Sequence, residues 1–78
     1  MSDPRFRDKG SRLGRFVEEA GEALAAAGKC SRFGFESYNP LLPEIEQETN
    51  AQWLRRELTD LKEAIADLET YLEEKGYE

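Results

Sequence analysis

The sequence predicts an all-α protein with two main antiparallel helices per chain, which complete a four-helix bundle by oligomerisation. Each half of the chain has one apolar stripe with helical spacing, and a segment containing Gly and Pro separates the two stripes. The second stripe is a leucine seam that two helices alone cannot enclose. With 78 residues, the chain is predicted to form a single domain near the lower size limit for a self-sufficient core.

The first part of the chain is predicted as a short irregular arm followed by a helix. Residues 1–10 are polar and basic, and Pro4 and Gly10 disfavour regular structure there. The first helix is predicted over about 11–32 because its apolar residues recur at the i, i+3, i+4, i+7 spacing of one helical face. These residues are Leu13, Phe16, Val17, Ala20, Leu24 and Ala27.

The middle of the chain, residues 33–49, shows no sustained period and is predicted as a long connection. Gly34, Pro40 and Pro43 interrupt it, and a short turn of helix is expected at residues 44–47. Connections of this length are uncommon in compact domains and tend to be functional or mobile.

The second helix is predicted over residues 50–75, with Thr49 or Asn50 as its cap and Gly76 as its stop signal. Its seam follows a heptad spacing and consists of Leu54, Leu58, Leu61, Ile65, Leu68 and Leu72. Burying such side chains contributes about 1.5–3 kcal/mol each. We therefore expect a homodimer or a higher homo-oligomer in which both chains share the core.

Charge and composition exclude several classes of protein. The net charge is −6, but residues 1–15 carry +3 and the remainder carries −9. Because most of the chain would repel a polyanion, nucleic acid is not an expected partner, although the basic arm keeps it as a third alternative. No apolar run approaches the ~20 residues that span a bilayer, and no signal peptide is visible. We therefore expect a soluble cytoplasmic protein without a membrane partner.

The available metal ligands are restricted to oxygen and one thiol. The chain has no histidine, and Cys30 is its only cysteine. An intrachain disulfide is therefore excluded and a zinc site is disfavoured. Oxygen ligands favour hard cations such as Mg²⁺, Mn²⁺ or Ca²⁺.

Two acidic clusters are the candidate functional residues. EEAGE (residues 18–22) places three carboxylates on one side of the first helix, and ELTD (residues 57–60) places two more on the second. Glu57 lies beside the leucine seam, near the direction of Ala64, so it requires either a metal or an arginine as its counter-charge. Spacing alone favours an ordinary solvated, ion-paired acidic face.

EEAGE followed by ELTD resembles the EExxE…ExxD motif of the MazG-like nucleotide pyrophosphohydrolases, all-α enzymes related to the dimeric dUTPases. The intervening GKCSRFGFESYNP resembles their short phage and bacterial members, and the resemblance covers residues 13–70. It implies Mg²⁺-dependent hydrolysis of a (deoxy)nucleoside triphosphate to the monophosphate and pyrophosphate, with Mn²⁺ as an alternative ion.

The resemblance also implies roles for particular residues. The metal ligands would be Glu19, Glu22, Glu57 and Asp60, and the catalytic pair would be Glu18 and Glu19. Lys29 and Arg32 would neutralise phosphates, and Phe33 or Trp53 would stack on the base, with Phe35 and Tyr38 as further aromatic candidates.

Two departures from the family pattern keep a different class of function open. The gap between the acidic motifs is longer than in the shorter versions of the motif, and the chain ends soon after its second helix. The alternative is a non-catalytic helical oligomerisation or protein-interaction module whose leucine seam recruits a partner.

Overall fold

The computed structural model of the protein describes residues 11–77 and contains two long helices within them. Helix α1 spans Ser11–Phe33 and helix α2 spans Asn50–Glu74, with a 3₁₀-helix at Glu44–Glu46 in the connection. The described residues form no strand. The predicted all-α class with two packed helices is confirmed, whereas the predicted basic arm at residues 1–10 lies outside the described residues.

The two helices form an antiparallel hairpin, as the order of their cross-links shows. Near the open end, Arg12 donates to Glu74 at 3.2 Å, and Arg15 donates to Asp67 at 2.6 Å. At the closed end, the side chain of Asn50 reaches the end of α1. The open-end ion pairs are exposed, and such pairs contribute only about 0–1 kcal/mol each, so they orient the helices more than they stabilise them.

The core between the helices consists of small side chains. The buried hydrophobic residues in the described part of the chain are Ala23, Ala26, Cys30 and Ala64, and no large side chain there is fully buried. Small residues let the two helix backbones approach closely, but they remove little apolar area from water. The core of a single hairpin therefore contributes little stability.

Both long helices end as the local sequence dictates. Helix α1 stops at Gly34, whose φ of 95° suits glycine and whose N–H donates to the Cys30 carbonyl at 2.9 Å. Helix α2 begins with a capping box, in which Thr49 and Gln52 satisfy each other's backbone N–H groups. Gly76, with a φ of 78°, follows the end of α2.

Asn50 joins three parts of the fold. Its side-chain amide donates to the Gly34 carbonyl at 3.0 Å and to the Lys29 carbonyl at 3.4 Å, which occupies acceptors at the end of α1. Its backbone N–H donates to the Ser37 carbonyl at 2.8 Å. The start of α2, the end of α1 and the first half of the connection are thereby held together.

The leucine seam is only partly covered in the single chain. On α2, Leu58 is 42 % exposed, and Ile65 and Leu72 are each 38 % exposed; on α1, Leu13 and Val17 are more than half exposed. At about 100° per residue, the α2 residues lie within one narrow stripe of their helix, and so do the α1 residues. Both stripes are rotated in the same sense from the helix interface, and because the helices are antiparallel, the two stripes fall on the same side of the hairpin. We call this side the apolar face. No helix among the described residues has the length and apolarity needed to cross a bilayer.

Candidate metal centre

Three carboxylates from the two helices converge at the middle of the hairpin. Glu19 and Glu22 lie one turn apart on α1, and Glu57 faces them from α2. Each offers a carboxylate oxygen, and these oxygens all lie within 4.8 Å of one another. We call these three residues the carboxylate cluster. At about 100° per residue, Glu22 points away from the apolar face, whereas Glu57 lies in the interface between the two helices.

Glu57 is the buried member of the cluster. It is 3 % exposed and lies on the same face of α2 as the fully buried Ala64, as the sequence indicated. Its Oε1 accepts a hydrogen bond from Nη1 of Arg56 at 2.9 Å, while its Oε2 is buried without a hydrogen-bond partner. One oxygen is therefore neutralised by an arginine, and the other is left without a compensating donor.

The electrostatics of the cluster reflect an excess of negative charge. Burial raises the pKa of Glu57, and the nearby carboxylate of Glu22 raises it further. Burial also raises the pKa of Glu19, with added repulsion from Glu22 and Asp60. In both cases an arginine opposes the shift without cancelling it. A proton or an added cation would stabilise this arrangement.

The donor set fits a hard divalent cation. All three groups are carboxylates, and Oε2 of Glu19, like Oε2 of Glu57, is buried without a partner. Oxygen donors of this kind suit Mg²⁺ or Mn²⁺. A fully solvated acidic face, which the spacing alone favoured, does not describe Glu57, since water does not reach its unpartnered oxygen.

The other two acidic residues predicted for the site lie at its margin. Asp60 is half-buried and close enough to raise the pKa of Glu19 and Glu57, but it is not among the three residues whose oxygens converge. Glu18 is exposed and acts on Glu19 only through its charge. Both therefore add negative potential around the cluster.

The predicted substrate residues lie mostly around one open cavity between the end of α1 and the connection. Its volume is about 390 Å³, and Lys29, Phe33 and Trp53 line it. Arg32 does not line it; its guanidinium lies 5.6 Å from the centre of the Phe33 ring. The remaining lining residues are Ser37, Tyr38, Asn39, Leu42, Glu46, Glu48 and Asn50.

Arg56 and Glu48 complete the surroundings of the cluster. Arg56 contacts Glu57, and it also donates from Nε and Nη2 to both oxygens of Glu48, at 3.2 and 3.0 Å. The sequence offered Arg15, Arg55 and Arg56 as possible counter-charges to Glu57 without distinguishing among them. Glu48, in contrast, carried no local signal, because only the course of the connection brings it to α2.

In comparisons with known proteins, no family model, curated protein or solved structure matches this chain. The interpretation of the cluster therefore depends on its geometry and on the motifs in the sequence.

We predict that acidification stabilises the cluster in the absence of divalent cations. Because folding raises the pKa of Glu57, the folded state binds a proton more tightly than the unfolded chain does. The resulting stabilisation grows as pH falls from neutral through the raised pKa, and it is fully present below the ordinary value of 4.5. Glu57→Gln removes this contribution. Urea unfolding in EDTA should therefore show a wild-type-minus-variant difference in free energy that increases on acidification; a difference that does not vary with pH would contradict the shift.

We also predict that a divalent cation stabilises the folded state through the cluster. Millimolar Mg²⁺ or Mn²⁺ should raise the melting temperature of the wild type by mass action, and Glu57→Gln should abolish the increase. Without metal the variant should be as stable as the wild type or slightly more stable, since Arg56 keeps Glu48 as a partner. The matched control is Glu69→Gln, on an exposed part of α2. If neither cation stabilises the wild type, the cluster is an ion-paired acidic site and not a metal site.

Proposed function

We propose that this chain is a Mg²⁺-dependent nucleotide pyrophosphohydrolase of the MazG-like type, which converts a (deoxy)nucleoside triphosphate and water into the monophosphate and pyrophosphate. The observation that carries the proposal is the convergence of Glu19, Glu22 and Glu57, with unpartnered buried oxygens on two of them. A cytoplasmic location, where triphosphates and Mg²⁺ occur together, is part of the proposal.

The proposed roles follow from where each carboxylate lies. Glu19, Glu22 and Glu57 would hold Mg²⁺, with Asp60 contributing charge and acting as a further ligand. When bound, Mg²⁺ supplies a positive charge that offsets the phosphates and makes the phosphoanhydride easier to cleave. Glu19 or the exposed Glu18 would accept the proton of the attacking water.

The cavity between the end of α1 and the connection supports binding of a nucleoside triphosphate. Lys29 supplies a positive charge for the phosphates, and Phe33 and Trp53 supply aromatic surfaces for the base. Arg32 would act on the phosphates from outside the cavity wall. A cation and aromatic rings in one cavity, linked to the carboxylate cluster through the contacts of Glu57, Arg56 and Glu48, are the groups that a nucleoside triphosphate with Mg²⁺ would require.

Turnover of a nucleotide panel tests the proposal. With Mg²⁺ present, the wild type should release pyrophosphate from at least one ribo- or deoxyribonucleoside triphosphate, and Glu57→Gln should lower the rate by orders of magnitude. Glu69→Gln should retain the wild-type rate, because Glu69 lies outside the cluster. If micromolar protein produces no pyrophosphate from any triphosphate, the proposed activity is wrong.

The exposed apolar face supports a second part of the proposal, a homodimer or higher oligomer that completes a four-helix bundle. Leu58, Ile65 and Leu72 remain partly exposed at heptad spacing on α2, and the core of the single hairpin contains only small residues. Covering the apolar face with a second copy would supply the large buried side chains that the hairpin lacks. Glu22, the exposed member of the carboxylate cluster, points away from the apolar face and would stay exposed in such an assembly.

Sedimentation velocity tests the proposed assembly. The wild type should sediment as a dimer or larger species at micromolar concentration, and Ile65→Glu should shift it towards the monomer because a charge cannot be buried in an apolar interface. Thr70→Glu places the same charge on an exposed position of α2 away from the apolar face, and it should leave the assembly intact. A folded wild-type monomer would remove the bundle from the proposal.

The same exposed residues favour one alternative function, a non-catalytic interaction module. In that case the apolar face would bind a different protein, and neither Mg²⁺ nor nucleotides would affect the chain. The nucleotide panel separates the two functions. An interaction module predicts no pyrophosphate release from any triphosphate by the wild type, by Glu57→Gln or by Glu69→Gln.

A further inference from the structure

The second half of the connection is held to the helices differently from the first half. Backbone hydrogen bonds from the start of α2 hold Phe35 and Ser37 in place. Beyond them, the hydrogen bonds of Leu41 and Gln47 stay within the connection. Among residues 11–77, the pair of Glu48 with Arg56 is the only ion pair that ties the connection to a helix.

Arg56 donates hydrogen bonds to two carboxylates at the same time, one partly exposed and one buried. Its Nε and Nη2 form a two-point contact with Glu48, whose side chain is 38 % exposed. Its Nη1 contacts Oε1 of Glu57, which leaves Oε2 of Glu57 as the buried oxygen without a partner. The guanidinium therefore determines which oxygen of Glu57 is left for the cluster. The planar guanidinium makes the two-point contact with Glu48 and the contact with Glu57 from three separate nitrogens, a geometry that the single nitrogen of an ammonium group does not reproduce.

Glu48 also belongs to the wall of the cavity. It lines the cavity together with Trp53, and Glu46 lies in the same wall two residues earlier. The chain of contacts thus runs from the carboxylate cluster through Glu57 and Arg56 to Glu48 and the cavity.

We propose that Arg56 is a positioning residue that couples cation binding at the carboxylate cluster to the position of the cavity wall at Glu48; this inference rests on the metal site of the proposed function. A divalent cation held by Glu57 competes with Arg56 for the charge of that carboxylate. The ion pair of Arg56 with Glu48 then becomes stronger and holds the second half of the connection against α2. By reciprocity, the contact with Glu48 strengthens cation binding by the same factor.

The coupling is measured by calorimetric titration with Mg²⁺ alone, without nucleotide. Glu48→Gln weakens the contact with Arg56 and should lower Mg²⁺ affinity by about fivefold or more, the lower end of typical coupling between sites. Glu46→Gln removes the same charge from the same wall. Because Glu46 forms no ion pair among the described residues, its variant should stay within about twofold of the wild type, as expected for a screened surface charge.

A double-mutant cycle shows whether Glu48 acts through Arg56. In an Arg56→Gln background, adding Glu48→Gln should change Mg²⁺ affinity by less than about twofold, because the contact that transmits its effect has already been removed. Arg55→Gln, which changes the arginine next to Arg56, is the matched control background. In that background Glu48→Gln should keep its full effect, since Arg55 forms no ion pair in the described part of the chain.

Trp53 supplies a readout at the cavity itself. It is the only tryptophan of the chain and lines the cavity with Glu48. Mg²⁺ should change its fluorescence in the wild type and in Glu46→Gln, and the change should be lost in Glu48→Gln even at saturating Mg²⁺.

The outcomes separate this inference from the proposed function. Equal effects of Glu48→Gln and Glu46→Gln, or a full effect of Glu48→Gln in the Arg56→Gln background, would overturn the coupling while leaving the metal site in place. A wild type that shows no Mg²⁺ binding overturns the metal site and the coupling together. Mg²⁺ binding with the expected cycle, but without nucleotide turnover, supports the coupling and overturns only the proposed enzymatic activity.

Discussion

The burial of one carboxylate between two helices is the constraint on which the rest of the structure depends. Glu57 is buried in the helix interface, and it retains an oxygen without a partner. Burying an ionised carboxylate is costly unless a positive charge compensates it. Arg56 compensates one oxygen. A structural ion pair accounts for this oxygen only. The second oxygen faces two further carboxylates and no donor.

The small core has a consequence for how such a cluster can form. Ala23, Ala26 and Ala64 let α1 and α2 approach closely enough for carboxylates on both helices to converge. Larger residues at these positions would move the helices apart and separate the carboxylate oxygens. The same small residues bury little apolar area, so the hairpin leaves large side chains partly exposed on its apolar face. Closeness at the cluster and incomplete burial elsewhere therefore have one cause.

The connection contributes more than a link between helices. Its first half provides carbonyl acceptors for the N–H groups at the start of α2, which have no partners within the helix. Its second half approaches α2 through Glu48 and forms a wall of the cavity. A segment without regular structure over most of its length thus brings together groups that the two helices alone do not supply.

The sequence by itself determined the helices, their ends and the candidate carboxylates. Apolar spacing, the Thr49 cap and the Gly76 stop signal are local, so they could be interpreted without knowing which residues meet in space. Even the burial of Glu57 followed from its helical direction beside Ala64. The tertiary structure alone decided that Glu19, Glu22 and Glu57 converge while Asp60 stays at the margin, and that Glu48 reaches Arg56. Such contacts depend on the separation and relative rotation of the helices and on the path of the connection, which no local spacing in the chain specifies.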